Sequence, residues 1–168
     1  YSANSSAADP DLVEYGLINY FKFGAGITRM EWYICGDSIW KVTLRNELDQ
    51  GRPVHLSGNA HSWVCDGYQD NDFFHMNWGW NGSDDGFYQF QNMYAGGINF
   101  DVTRMSAYIG MQPNDGSTIL QDTFWSADTL FFDNSIAIAE GVTVGVNAGS
   151  RVEFAEESYL KIFGTMVA

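Results

Sequence analysis

HSWVCDGYQDNDFFHMNWGWNGSDDG, residues 61–86, is the stretch whose reading decides the fold. Apolar and polar residues alternate on either side of the turn-rich DGYQDND, the pattern of two strands of a hairpin. Centring the loop on Gln69 predicts a register that sets His61 opposite Asn77, Trp63 opposite His75 and Cys65 opposite Phe73. Directly opposed side chains have Cβ atoms about 5 Å apart, so an imidazole and a carboxamide would meet across the strands. A histidine that acts as a general base needs one ring nitrogen free for the nucleophile. Its other nitrogen must be held by a partner that fixes tautomer and orientation.

The same period of two continues on both sides. PVHLSG from Pro53, FYQF from Phe87 and SAYIGM at residues 106–111 read as further strands, separated by Asp66-Gly67, Asn81-Gly82 and Asp85-Gly86 turns. Upstream, the pattern becomes helical. Asp9 or Asp11 can cap a helix carrying Leu12, Val13, Leu17, Ile18, Tyr20 and Phe21 on one stripe, stopped by the glycines of FGAG. Asp37 or Ser38 can cap a second helix to about Gln50, with Ile39, Trp40, Leu44 and Leu48 on its apolar face; Pro53 prevents its return. The segment from Ile27 to Ile34 fits either state. Helices followed by an antiparallel β-meander give an α+β domain over residues 1–111.

QPNDGST, residues 112–118, has the composition of a linker. Beyond it, over residues 119–168, apolar residues fall on even positions: Ile136, Ile138, Val142, Val144, Val146, Val152, Phe154, Leu160 and Ile162. Short strands joined by AEG, NAG, AEES and GT turns read as the first coils of a parallel β-helix-like, solenoid-like all-β segment, with a small β-sandwich as the alternative. The chain starts at Tyr1 with neither an initiator Met nor a signal segment and stops at Ala168 inside a strand pattern, which predicts a piece of a longer polypeptide. A truncated coil would expose strand edges from Leu160 to Val167 and favour association or local disorder.

Composition narrows the function. The 168 residues carry 8 basic and 21 acidic side chains, a net charge of −13, which leaves no electrostatic footprint for nucleic acid or an anionic membrane. No apolar run approaches the roughly 20 residues of a membrane span. Two cysteines, Cys35 and Cys65, cannot form a disulfide framework. His55, His61 and His75 match no zinc spacing, so no metal is assigned. The acidic loops lack the order of a calcium-binding EF-hand, and Asn4-Ser5-Ser6 and Asn81-Gly82-Ser83 are weak glycosylation triplets. Stacking on sugars is a possible use for the tryptophans, but a cleft wall and the core account for them better.

PVHLSGNAHSWVCDGY followed by FFHMNWGWNGSDDGFY resembles the second half of the streptopain family, bacterial cysteine proteases with a papain-like fold. The His-to-Asn-Trp interval and the order of helices extend the resemblance over about residues 1–111. It implies a papain-like half-domain in which His61 is the catalytic base, Asn77 its orienting partner and Trp78 a support by backbone or ring. It further implies that Trp80 walls the cleft, that Ala60 grips the substrate backbone and that Ala7 lies where the substrate passes. Ala60 stands where the family has Gly, Asn81 replaces a Gly, and Cys65 occupies an aliphatic position.

The family's nucleophilic Cys belongs to an N-terminal half outside these residues. Cys65 is four residues along one strand from His61, about 13 Å away, too far for a thiol–imidazole pair. Cys35 has no His or Lys beside it in sequence. The resemblance thus implies the His-bearing part of a secreted endopeptidase, inactive alone, needing no cofactor, whose partners are a polypeptide substrate and the missing half. The alternative is a non-catalytic binding or adhesion module built on the protease fold and a β-solenoid. A processed chain that docks with a separate Cys-bearing chain is a third arrangement.

Overall fold

The computed structural model describes residues 9–70 and 72–168; Ala7 lies outside them. Two compact units result. One holds the residues up to Glu14 with Thr28–Met111, and the other holds Tyr15–Ile27 with Gln112–Ala168.

A 3₁₀ turn, Pro10–Leu12, opens the described chain, and the Asp9 carboxylate caps it by accepting from the Asp11 N–H. Helix α1 follows, Val13–Asn19. It is shorter than the stripe of apolar residues predicts, and of that stripe only Ile18 is fully buried, while Leu12, Tyr20 and Phe21 are exposed. The glycines of FGAG are therefore not what stops the helix.

In the first unit, β1 (Thr28–Glu31) resolves the ambiguous segment, and α2 (Trp32–Asp49) begins directly after it. Gly36, with φ 72° and ψ 171°, breaks the helical path, so the long regular part starts at Asp37 as the capping pattern predicts. Lys41 bonds to Asp37 one turn back and to Asp72. Trp40 and Leu44 are fully buried, whereas Ile39 faces solvent. Glu47 is buried too: Arg52 pairs with it at 2.7 Å and the Gly110 N–H donates to it at 2.8 Å. Burial opposes its charge, yet these donors hold its carboxyl below the usual range.

Strands β2 (Val54–Gly58), β3 (His61–Gln69), β4 (Phe73–Asn77) and β5 (Gly86–Tyr88) form the expected antiparallel run. Phe90 leaves it for a 3₁₀ turn, so FYQF is not all strand. A separate hairpin follows, β6 (Met93–Ala95) and β7 (Ile98–Phe100), then β8 (Ser106–Ile109). The last of these inserts between β1 and β2, giving the order β1-β8-β2-β3-β4-β5 rather than a plain meander. Trp40 and Leu44 of α2 pack with Leu56, Trp63, Cys65, Phe74 and Met76 of the sheet, and with Trp78 just past β4, in one core.

The register differs from the sequence expectation. Gln69 pairs with Phe73 and Gly67 with His75, then the ladder shifts at Asp66, and Cys65 pairs with Met76 and Val64 with Asn77. A one-residue bulge moves every side chain of β3 that precedes it, from Cys65 back to His61, to the other face relative to β4. His61 consequently shares the inner face with Trp63 and Cys65, while Asn77 lies on the outer face with Val64. The predicted His61–Asn77, Trp63–His75 and Cys65–Phe73 oppositions do not occur.

In the second unit the strands are β9 (Thr118–Ile119), β10 (Thr123–Trp125), β11 (Thr129–Phe132), β12 (Ile136–Ile138), β13 (Thr143–Val146), β14 (Arg151–Phe154), β15 (Leu160–Ile162) and β16 (Thr165–Val167). Every ladder is parallel and joins a strand to the one three places on: β9-β12-β15, β10-β13-β16 and β11-β14. Val142, Val144 and Val146 are buried as the even-position rule predicts, with Ile119, Trp125, Leu160 and Met166 packed around them. Ile162 departs from that rule, being half exposed, and Ala137 and Ala139 are buried although they fall on odd positions. In this unit Asn19 accepts a hydrogen bond from the Glu140 N–H, and the Phe23 carbonyl accepts one from the Thr118 hydroxyl.

Candidate active site

His61 opens β3 directly after a tight turn. Asn59 and Ala60 take φ values of 48° and 57°, the left-handed pair that lets two strands join through two residues. Asn tolerates this conformation and is further held by donating to the Asn99 carbonyl at 2.8 Å. Ala60 pays the steric cost that a glycine would not. Ala60→Gly is therefore expected to stabilise this unit by about 1 kcal/mol, read as a higher urea midpoint at unchanged slope.

The half-buried imidazole of His61 lies among aromatic rings. Trp80 stacks on it at 4.7 Å between centroids, Trp63 and Trp78 lie at 6.1 and 6.3 Å, and Phe100 at 6.4 Å. Trp78 is fully buried and packs on Trp63 at 4.8 Å and Phe100 at 4.7 Å. His61 Nε2 is 3.0 Å from the Trp78 carbonyl oxygen. A carbonyl only accepts, so in the neutral ring Nε2 carries the proton and Nδ1 keeps its lone pair. The hydrogen-bond acceptor of the ring is thus the main chain of residue 78. Asn77 is engaged elsewhere: its Oδ1 accepts from the Gly79 N–H at 3.1 Å, closing the turn that carries the Trp78 carbonyl.

A cleft of about 640 Å³ opens at His61, lined also by Ala60, Asn59 and Gly58, by Pro10 and Asp11, and by Arg29, Arg104 and Ile98. Ser57 and Ser106 lie on it with their hydroxyls 2.7 Å apart. Arg29 is paired with Asp11 and Glu31. Of the sequence candidates, the structure brings His61, Ala60, Trp78 and Trp80 together and leaves the Asn77 carboxamide on the turn behind them. Phe100, Arg104 and the serine pair carried no sequence signal, because β7 and β8 reach the site only through the topology.

Neither thiol is suited to attack. Cys65 is fully buried, and burial pushes it up to about 12. Burial also raises Cys35, which donates to the Trp32 carbonyl. Both cysteines are free. His55 is half-buried, and burial lowers its affinity for a proton; His75 bonds to Asp66 on the outer face. Among the described residues no cluster of His, Cys, Asp and Glu could hold a metal, and no helix is long and apolar enough to cross a membrane.

The pattern of the Peptidase C10 family matches residues 1–88, which includes His61, Asn77, Trp78 and Trp80. The chain belongs to the Peptidase C10 family. Streptopain of Streptococcus pyogenes is 28% identical over 126 residues, covering 67% of this chain and 31% of the relative. The thiol protease/hemagglutinin PrtT of Porphyromonas gingivalis is 29% identical over 122 residues, covering 66% of this chain and 14% of the relative. Active wild-type interpain A, a cysteine protease of Prevotella intermedia, aligns with a TM-score of 0.45 at 24% identity over 49% of this chain and 37% of its own. This Peptidase C10 chain therefore spans about a third of streptopain.

Proposed function

We propose that this chain is the histidine-bearing part of a secreted bacterial cysteine endopeptidase, whose nucleophilic cysteine is supplied by a preceding segment of the same polypeptide. The observation that carries the reading is the imidazole of His61. It lies within the stretch matched to a peptidase family, bonded through Nε2 to a main-chain carbonyl and placed at the rim of a cleft.

In this reading Nδ1 of His61 takes the thiol proton, giving a thiolate–imidazolium pair. The thiolate attacks the scissile carbonyl and the imidazolium returns the proton to the departing amine, leaving an acyl-enzyme. His61 then removes a proton from water, which releases the carboxylic acid and regenerates the thiol. Trp78 orients the ring through its carbonyl, Asn77 acts one step back by closing the Trp78–Gly79 turn, and Trp80 covers the imidazole face. Ala60, on the cleft beside His61, and Ala7 meet the substrate chain. No cofactor enters these steps. The parallel ladders of residues 118–167 support a β-solenoid as the module that follows the protease part.

The test compares the chain alone with the chain joined to its preceding segment, using unfolded casein as substrate. Hydrolysis by the joined protein alone, abolished by iodoacetamide, is the expected result. A joined protein that has no cysteine able to meet His61 and hydrolyses nothing would replace this reading with the binding module. The name of PrtT, which pairs protease with hemagglutinin, is in keeping with that second class.

A further inference from the structure

The loop that follows Trp78 is held in an unusual conformation. Gly79, Asn81, Gly82 and Asp84 have φ values of 74°, 62°, 85° and 63°. At Asn81 and Asp84 this costs roughly 1 kcal/mol each and persists only where surrounding contacts enforce it. Two adjacent carboxylates provide such contacts. Asp85 Oδ1 accepts from the Trp78 N–H at 2.9 Å, and Asp84 Oδ2 accepts from the Gly96 N–H at 3.1 Å. Gly96 sits in the β6–β7 turn, and a Cβ built there would stand 2.5 Å from Cζ3 and 2.6 Å from Cη2 of Trp80. The indole therefore rests against bare backbone on the side of Gly96 and against the His61 ring at 4.7 Å.

We propose that Asp84 and Gly96 are positioning residues for His61: Asp84 pins the Gly96 turn, Gly96 sets the plane of Trp80, and Trp80 sets the plane of the imidazole. This rests on the reading of His61 as the base. Strain and positioning pull in opposite directions at Asp84, which separates this role from a merely structural one. Asp84→Gly relieves the left-handed backbone and so does not lower the melting temperature, yet it releases the Gly96 turn. Asp84→Asn keeps an acceptor oxygen and preserves the clamp. Gly96→Ala drives a methyl group into the indole edge.

The experiment is proton NMR of the three histidine rings in this chain, followed by kinetics of the joined protease. Asp84→Gly and Gly96→Ala are expected to move the His61 ring protons downfield as shielding by Trp80 is lost, with His55 and His75 unmoved and Asp84→Asn matching the parent. In the joined protease both variants lower kcat about tenfold or more at unchanged KM. The clamp is overturned if the His61 signals stay in place in Asp84→Gly, or if all three histidines shift together. Its fate is decided by these spectra on the chain alone. His61→Ala in the joined protease decides the base assignment separately, since full turnover there would remove the catalytic role and leave the geometry measured by NMR intact.

Discussion

His61→Ala, in the protease formed when this chain is joined to its nucleophile-bearing segment, lowers kcat/KM by about a thousandfold or more. One imidazole is asked to generate the thiolate, to protonate the leaving amine and to activate water. Removing it leaves a neutral thiol and no proton donor, so acylation and deacylation both suffer. The loss falls on kcat, because His61 forms only one edge of the cleft and contributes little to holding the substrate. His55→Ala and His75→Ala leave turnover unchanged. Burial disfavours the charged form of His55, and His75 lies on the outer face bonded to Asp66. Rapid hydrolysis by His61→Ala would remove this residue from the mechanism.

Trp78→Ala destabilises the protease-like unit by about 4 kcal/mol, within the range measured for large-to-small changes at buried aromatic sites. Trp78 is fully buried, and its ring packs on Trp63, Phe100, Trp80 and Tyr88. Truncation leaves a cavity beneath His61 that these rigid rings cannot fill by small shifts. A small domain has only about 5–15 kcal/mol in total, so the variant is expected to lose about a quarter or more of its stability. Urea denaturation followed by tryptophan fluorescence measures this, and Trp78→Phe, which keeps an aromatic ring in place, costs clearly less. A midpoint for Trp78→Ala equal to that of the parent would show that the aromatic cluster does not hold the site together.

The elements around this site were legible in the sequence to different degrees. Alternation alone locates β2, β3 and β4, and the helical stripe of Trp40 and Leu44 locates the buried face of α2. Local patterns record which face a residue presents within its own strand, and that part survives in the structure. The pairing of two strands depends on where the turn closes and on whether an extra residue is accommodated between them. Here the Asp66 bulge changes parity between Gly67 and Cys65. Nothing in DGYQDND announces it, so the expected His61–Asn77 pair became two residues on opposite faces. The role of an acceptor for His61 nevertheless falls to the neighbouring residue, through its main chain.

The less legible parts are non-local. Insertion of β8 between β1 and β2 brings Ser106 to the cleft from far along the chain, and β7 brings Phe100 to the rings. Asp84 and Asp85 read as turn formers only, because their hydrogen-bond partners are set by three-dimensional proximity. In α1, Leu12, Tyr20 and Phe21 carry the apolar period yet remain exposed, since periodicity reports a stripe and not what covers it. Residues 118–167 reveal their strands by alternation and suggest parallel coils by the even recurrence of their turns, whereas the particular pairing, each strand with the one three places on, emerges only in the fold.

The central claim is that Nδ1 of His61 faces the attacking sulfur while Nε2 is held by Trp78. Treating the joined protease with dibromoacetone, which bridges a thiol and an imidazole only a few ångströms apart, tests it most directly, with the linked peptides identified by mass spectrometry. The account predicts a single bridge from the nucleophilic cysteine to the peptide containing His61, formed as activity is lost. A bridge to His55 or His75, or complete inactivation with no bridge at His61, would contradict it.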